Sequence, residues 1–287
     1  MKNETFKTVI TFKRRLFDLH IRETIAYRDL IFLFVKRDFT AQYKQTILGP
    51  LWAIVQPLLT TFVFALVFGV IAGLNSSDVA DSTLPRFLFY LSGTVCWSYF
   101  SATLNKTSRT FLDNRRIMSK VYYPRLVSPV ATAFSDLISF GIQFVMLFIA
   151  TVIYLFIGGY DITFSFNLFL LIPVVLQLMI LSVGCGLVIS ALTTKYRDLA
   201  MLVTFGLQLW QYASPIAYGL ALIPEKFVWL YMLNPVTPII TTFRFSLFGT
   251  GYFNGLFYGI SWAITLLIAF LGLVLFSRTE RNFTDTV

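Results

Sequence analysis

A chain of 287 residues with 57% hydrophobic and only 13% charged side chains, at a mean hydropathy of +0.74, lacks the polar surface to coat a water-soluble globule. That excludes a soluble enzyme and requires apolar faces turned to lipid. A net charge of +9 would raise nucleic acid as a partner in a soluble protein, but here the basic residues gather beside apolar spans, so a membrane surface is expected and no nucleic acid. Residues 1–18 read as a polar, basic cytoplasmic arm with no cleavable leader, and His20, the single histidine, as an interfacial residue. Tyr27, Ile31, Val35, Phe39, Tyr43 and Ile47 recur every fourth residue beside a polar stripe of Lys36, Thr40 and Lys44. The spacing predicts an amphipathic helix in the headgroup plane, with Lys36, Arg37, Tyr43 and Lys44 as its interfacial residues. Gly49 and Pro50 interrupt it and close a first region, 1–50.

Six membrane spans follow over 51–287: Leu51 to Gly73, Phe87 to Leu104, Ser128 to Ile157, Leu168 to Leu192, Leu199 to about Tyr218, and Leu256 to Phe276. The fold class is thus an all-α membrane protein of six transmembrane helices. With the N-terminus inside, 20 of the 23 Lys and Arg fall on the cytoplasmic side, and the positive-inside bias places both termini there. The first outer loop carries Asp78 and Asp81, and the polar NKTSRTF after the second span can prolong that helix. Between the second and third spans, DNRRIMSKVYYPR (113–125) offers a short helix capped by Asp113 or Asn114 and stopped by Pro124. Ile117, Met118 and Val121 form an apolar knob in a cationic collar there, suited either to a groove on a cytoplasmic partner or to a solvated loop that orients its spans.

Asp136 is the one carboxylate well inside an apolar span, and it is either a functional group or a hydrated interfacial one. Gly184 and Gly186 permit close helix packing. Lys195 and Arg197 in TTKYRDL can meet lipid phosphate or a partner, and Gln208 and Gln211 beside Trp210 and Tyr212 require an inward face in the fifth span. From 215 to 248 the prolines Pro215, Pro224, Pro235 and Pro238 separate apolar runs too short to span, which suggests re-entrant outer helices lidding a conduit. Cys96 and Cys185 sit singly in spans with no metal-ligand spacing, so no metal site is expected. No GxxxxGK[ST] occurs, and a lone histidine leaves no triad, so the chain is not expected to be an enzyme.

VKRDFTAQYKQTILGPLWAIVQPLL resembles the opening signature of the ABC-2 type permeases that export polysaccharides, and KVYYPR, YRDL and SPIAYGLALIPEKFVWLYMLNPVTPII agree with it in order. The resemblance implies a homodimer in the bacterial inner membrane, paired with two copies of a cytoplasmic ABC ATPase. Such a complex moves a lipid-linked, O-antigen-like polysaccharide, or alternatively capsule, teichoic acid, drugs or small lipids. This chain would bind no cofactor, ATP and Mg²⁺ residing on the ATPase. Coupling would fall on Arg115, Arg116, Ile117, Met118, Lys120, Val121, Tyr122 and Tyr123, and the outer gate on Pro215, Tyr218, Pro224, Trp229, Asn234, Pro235 and Pro238. Aromatic rings stack on sugar faces without gripping them, which makes Trp97, Tyr99, Trp210 and Tyr212 candidates to line the pore with Gln208 and Gln211. A channel or secondary transporter working alone would predict inverted repeats or paired intramembrane charges, which this sequence lacks.

Overall fold

The structure, a computed structural model, describes residues 21–44, 46–71, 84–118, 120–158, 166–196, 198–249 and 251–283, and every regular element among them is helical. The basic arm, the loop with Asp78 and Asp81, Arg197, and the side chain of Arg116 lie outside the described residues. A short helix α1 (Ile21–Ala26) leads into α2 (Arg28–Tyr43). The expected stripe is only partly realised: Tyr43 and Phe34 are the buried residues of α2, whereas Ile47 is fully exposed beyond the helix end. Gly49 then takes φ +51, a value that disfavours any residue with a Cβ, and Pro50 opens the turn Gly49–Leu51 that redirects the chain into the membrane.

Helix α3 (Trp52–Phe64) contains Pro57 and ends in a wider π-helical segment, Ala65–Ile71. After it come α4 (Arg86–Ser108), the single-turn helices α5 (Thr110–Asp113) and α6 (Arg115–Met118), and α7 (Val127–Gly158). Then α8 (Leu171–Thr193), α9 (Leu199–Tyr212), α10 (Glu225–Leu233), α11 (Val236–Phe248) and α12 (Gly255–Phe283) complete the described chain. Among the described residues, four segments are long and apolar enough to cross a membrane: Gly49–Ile71, Val127–Phe156, Asn167–Thr193 and Gly255–Glu280.

The other two expected spans differ from these in instructive ways. Helix α4 has 23 residues, about 35 Å at 1.5 Å per residue, but it carries Ser92, Thr94, Thr103 and Thr107 along its length, all buried. It runs through the interior of the bundle, so its neighbours and not lipid set its composition. Two of these hydroxyls bond back to their own helix, Ser92 to the Phe89 carbonyl at 2.9 Å and Thr94 to the Tyr90 carbonyl at 2.8 Å. Helix α9 stops at Tyr212 after 14 residues, about 21 Å, short of the roughly 30 Å hydrocarbon layer.

The second surprise lies in the proline-rich stretch. Of its two helices, α10 keeps only Met232 buried, but α11 is buried over nearly its whole length. Of the pair that reads in sequence as re-entrant outer helices, one is thus exposed and the other is a core helix. Pro224 and Pro235 sit where each helix begins, as a residue without an N–H can.

Helix α8 is clamped between α4 and α12. A Cβ on Gly186 would lie 2.5 Å from Cβ of Thr107 on α4, and one on Gly272 of α12 would lie 2.6 Å from the Gly184 carbonyl oxygen. The α8–α12 contact is thus backbone against backbone, the small-residue packing that lipid-embedded helices use in place of a hydrophobic driving force. Gln177 adds a polar lock, donating to Ser261 at 2.8 Å, while Ser261 donates to the Pro235 carbonyl at 2.8 Å. Cys96 and Cys185 are buried and unpaired. Gly272→Ala should destabilise the protein by about 1–3 kcal/mol, read as a lower Tm in detergent, whereas Gly259→Ala on the same helix, whose Cβ would meet nothing within 4 Å, should leave Tm unchanged.

Candidate functional site

Five helices each turn one polar face toward a common cavity of about 510 Å³. From α3 come Gln56 and Thr60; from α4 come Thr94, Ser98, Ser101 and Asn105. Helix α7 contributes Asp136, Ser139 and Gln143, α9 contributes Thr204, Gln208 and Gln211, and the end of α2 closes one side with Gln42 and Tyr43. Within α3, α4, α7 and α9 these residues stand three or four apart, the spacing that aligns side chains on one face. The opposite faces of α3 and α9 are apolar and exposed, with Leu59, Phe62, Met201 and Phe205 outward.

Of the expected pore residues, Trp97, Tyr99, Gln208 and Gln211 line this cavity. Trp210 does not: its ring packs edge-on against Phe100 at 5.1 Å, and its indole N–H donates to Asn234 at 3.0 Å. Tyr212 is exposed away from the lining. Trp97 and Tyr99 are themselves nearly buried, and the ring most open to an occupant is Trp52 at the start of α3, 47% exposed. Its position at a span entrance hid it among ordinary interfacial tryptophans. The remaining lining residues carried a readable signal, namely polar side chains recurring at helical spacing inside apolar segments.

At the basic end of the cavity the Asp136 carboxylate is buried and paired with Lys106. Thr103 donates to its second oxygen at 3.1 Å, and Lys106 also donates to the Gln42 amide oxygen at 3.1 Å. Gln42 reaches the Tyr43 hydroxyl at 3.2 Å, and that hydroxyl shares a 2.8 Å hydrogen bond with Ser139. One connected network therefore joins α2, α4 and α7. Tyr43 is tied into the body by it and is no lipid-facing anchor, while Lys36 and Lys44 are exposed and Arg37 lies 4.3 Å over the Phe34 ring and 2.8 Å from Asp38.

The same end carries the segment from Asp113 to Arg125. Helix α6 ends at Met118, so Ile117, Met118 and Val121 do not share one face as the spacing predicts. Met118 turns inward, packing on one side with Phe111, Leu126 and Phe276 and on the other with Phe34, Tyr123 and Val127. Ile117, Val121 and Tyr122 point out, 37%, 59% and 84% exposed, beside the exposed Arg115 and Lys120. Tyr123 is held edge-on to Phe34 at 5.5 Å and shares a 3.1 Å hydrogen bond with Ser128; burial pushes its phenol above the ordinary value, so it stays neutral. Arg125 donates to the Glu280 carbonyl and so fixes the segment to α12.

At the proline-rich end two residues hold the short helices. Asn234 accepts from Trp210 and from the Val236 N–H at 3.2 Å, and donates to Ser214 at 3.1 Å, which binds the end of α9 to the α10–α11 junction. Tyr218 donates to the Tyr212 carbonyl at 2.9 Å and meets the Tyr231 ring at 6.3 Å. Pro215 and Pro238 are buried, and Trp229 is exposed on α10. The second holding residue, unremarked in the sequence, is Arg244 of α11. Its guanidinium is buried with no carboxylate partner among the described residues, donating to the Pro215 carbonyl at 2.7 Å, the Ile216 carbonyl at 2.9 Å and the Phe89 carbonyl at 3.0 Å, with the Phe89 ring 3.5 Å beneath it. A basic residue alone in the apolar run IITTFRFSLF was its signature. Arg244→Lys should lower stability by about 2 kcal/mol or more, because a point charge cannot reproduce the planar fork. Lys106→Ala, which leaves Asp136 buried and unpaired, should cost about 2 kcal/mol, the half-exposed lysine tempering a larger penalty. Both are checked by Tm in detergent, and Lys106→Met with Asp136→Asn should recover most of the second loss.

A family model described as "ABC-2 type transporter" matches residues 29–248, a stretch that takes in α2, the cavity, α6 and α11. Similar proteins include an O-antigen export system permease protein, RfbA, of Klebsiella pneumoniae, 27% identical over 90% of this chain and 94% of that protein. An RfbA of Myxococcus xanthus is 27% identical over 78% and 82% of the two chains, and the polysialic acid transport protein KpsM of Escherichia coli is 24% identical over 85% and 91%. With the family model covering well over half of its length, this chain belongs to the ABC-2 type transporter family.

Proposed function

We propose that this chain is the permease subunit of an ABC exporter that carries a lipid-linked polysaccharide out across the bacterial inner membrane, using ATP and Mg²⁺ held by a separate ATPase subunit. The observation that carries the reading is the cavity: membrane helices have turned amides, hydroxyls and the Trp52 ring onto a shared interior, which a hydroxyl-rich polymer can use and an oily drug cannot. The names of the O-antigen and polysialic acid relatives support the same substrate class.

In this reading the chain crosses six times, with α4 as the buried second crossing and α9 as a short fifth one. Helices α10 and α11 re-enter from outside, and the basic end faces the cytoplasm with both termini. Two copies meet through the exposed apolar faces of α3 and α9, so that the two cavities join into one passage. Neither α3 nor α9 buries its outer face within one chain, which supports that choice of interface.

The coupling route follows from contacts. An ATPase that closes on ATP presses on Ile117, Val121 and Tyr122; Met118, wedged between two apolar clusters, passes the push to α2 through Phe34 and to α12 through Phe276. Because α2 is hydrogen-bonded to α4 and α7 at the cavity mouth, its displacement opens or shuts that mouth. Replacing Ile117 and Val121 together by Asp should leave membrane insertion intact and abolish glycan-stimulated ATP hydrolysis by the assembled complex. Stimulation and export unchanged in that double variant would remove the coupling role from this segment.

A further inference from the structure

From the chemistry of the cavity wall we infer that the exported chain is an uncharged glycan, built of neutral or N-acetylated sugars, and not a polyanion. The inference rests on the export reading and narrows it. Among the described residues of the lining the only carboxylate is Asp136, and no Lys or Arg lines the cavity at all. The nearest cation, Lys106, is spent: its ammonium is paired with Asp136 and donates to Gln42. A second copy of the chain facing the first would bring the same residues and no new charge.

The unmet hydrogen-bonding demand has the same sign. Gln143 is 8% exposed, lines the cavity, and its amide oxygen has no partner; the amide oxygen of Asn105 is likewise buried and unpaired. Both atoms are acceptors and call for a donor. Neither oxygen opens onto the cavity as the chain stands, so an occupant meets one only when its side chain swings out; a sugar hydroxyl or the N–H of an acetamido group then supplies the donor, while a carboxylate or phosphodiester brings only further acceptors. An anion in this cavity would lose its hydration, face Asp136, and find no countercharge, a cost that ordinary hydrogen bonds do not repay. The Trp52 ring takes the apolar C–H face of a neutral sugar just as well in any repeat. The described basic side chains lie outside this lining and suit lipid phosphate.

The test uses the full-length permease with its ATPase in nanodiscs and reads quenching of tryptophan fluorescence. Probes are a dextran oligosaccharide and an N-acetylglucosamine tetramer against a sialic acid oligomer of similar length. Saturable quenching by either neutral probe, insensitive to salt and absent with the sialic acid oligomer, is the expected result. Gln143→Leu should weaken it about fivefold, and Trp52→Phe should remove much of the signal. Gln143→Lys should admit the anionic probe. Binding of the sialic acid oligomer as tight as that of the neutral probes, and weakening as salt rises, would overturn the inference and leave the export reading standing. Neutral quenching untouched by both Gln143→Leu and Trp52→Phe would also overturn it, by placing the glycan elsewhere. Failure of all three probes to bind would overturn the export reading itself, and this inference with it.

Discussion

A full positive charge buried without an acid beside it is the constraint on which the proline-rich end depends. Arg244 can sit inside the bundle only because three carbonyls converge on it, and two of them, from Pro215 and Ile216, are free because α9 has already ended. The early stop of α9, the break at Pro215 and the burial of α11 are therefore one arrangement seen from three sides. Gly93 completes it, since a Cβ there would lie 2.5 Å from the guanidinium. A carboxylate in place of the carbonyls would have made the same site a mobile ion pair. Neutral carbonyls fixed by backbone geometry make it rigid, with the planar fork reading three directions at once.

The basic end is built on the opposite plan. There the contacts that hold α2 are single hydrogen bonds and ring edges: Tyr43 to Ser139, Lys106 to Gln42, Phe34 to Tyr123. Each contributes on the order of 1 kcal/mol, so α2 can shift against α4 and α7 without unfolding anything. The cavity lies between a stiff end and a yielding one. In the proposed coupling, a push arriving at α6 would be absorbed where the joints are weak, beside the cavity mouth, and would not reach the short helices pinned by Arg244. Directed motion needs such asymmetry, because two equally soft ends would let the force dissipate in both.

How much of this was legible in the sequence varied with the physics behind each feature. Apolar length is a local property, so the spans near residues 51, 128, 168 and 256 fall where expected; α4 runs on into its polar continuation as expected, and α12 runs past its expected end. Burial by neighbours is not local. The amphipathic reading of 27–47 missed Phe34, which is buried by α7 and Tyr123, and it included Ile47, which no element covers. The burial of the short helix α11 was hidden for the same reason: its partners on α4 and α8 are far away in sequence. The cavity was half legible. Gln208 and Gln211 stood out as amides among aromatics, but Gln56, Gln143 and Asn105 needed the rule that polar residues at helical spacing share a face, applied to every span together. Trp210 shows the limit of composition, since its indole N–H is taken by Asn234 and only the fold reveals it.

A passage for a long repeating chain faces a difficulty that a pocket for a small molecule does not. Contacts multiply with every unit inside, and even about 1 kcal/mol per hydrogen bond would immobilise the polymer if all had to break together. Amides and hydroxyls escape this because each can hand one sugar hydroxyl to the next with little change in geometry, so gain and loss cancel as the chain advances. Charges cannot. At 4 Å a unit pair is worth about 4 kcal/mol even at an effective dielectric constant of 20, and the barrier between one countercharge and the next would recur at every repeat. The pairing of Lys106 with Asp136 removes the nearest such trap from the wall. If the cargo is the proposed neutral glycan, the neutrality of the wall that would select it would also let it slide, and a cation introduced at Gln143 would trade movement for grip.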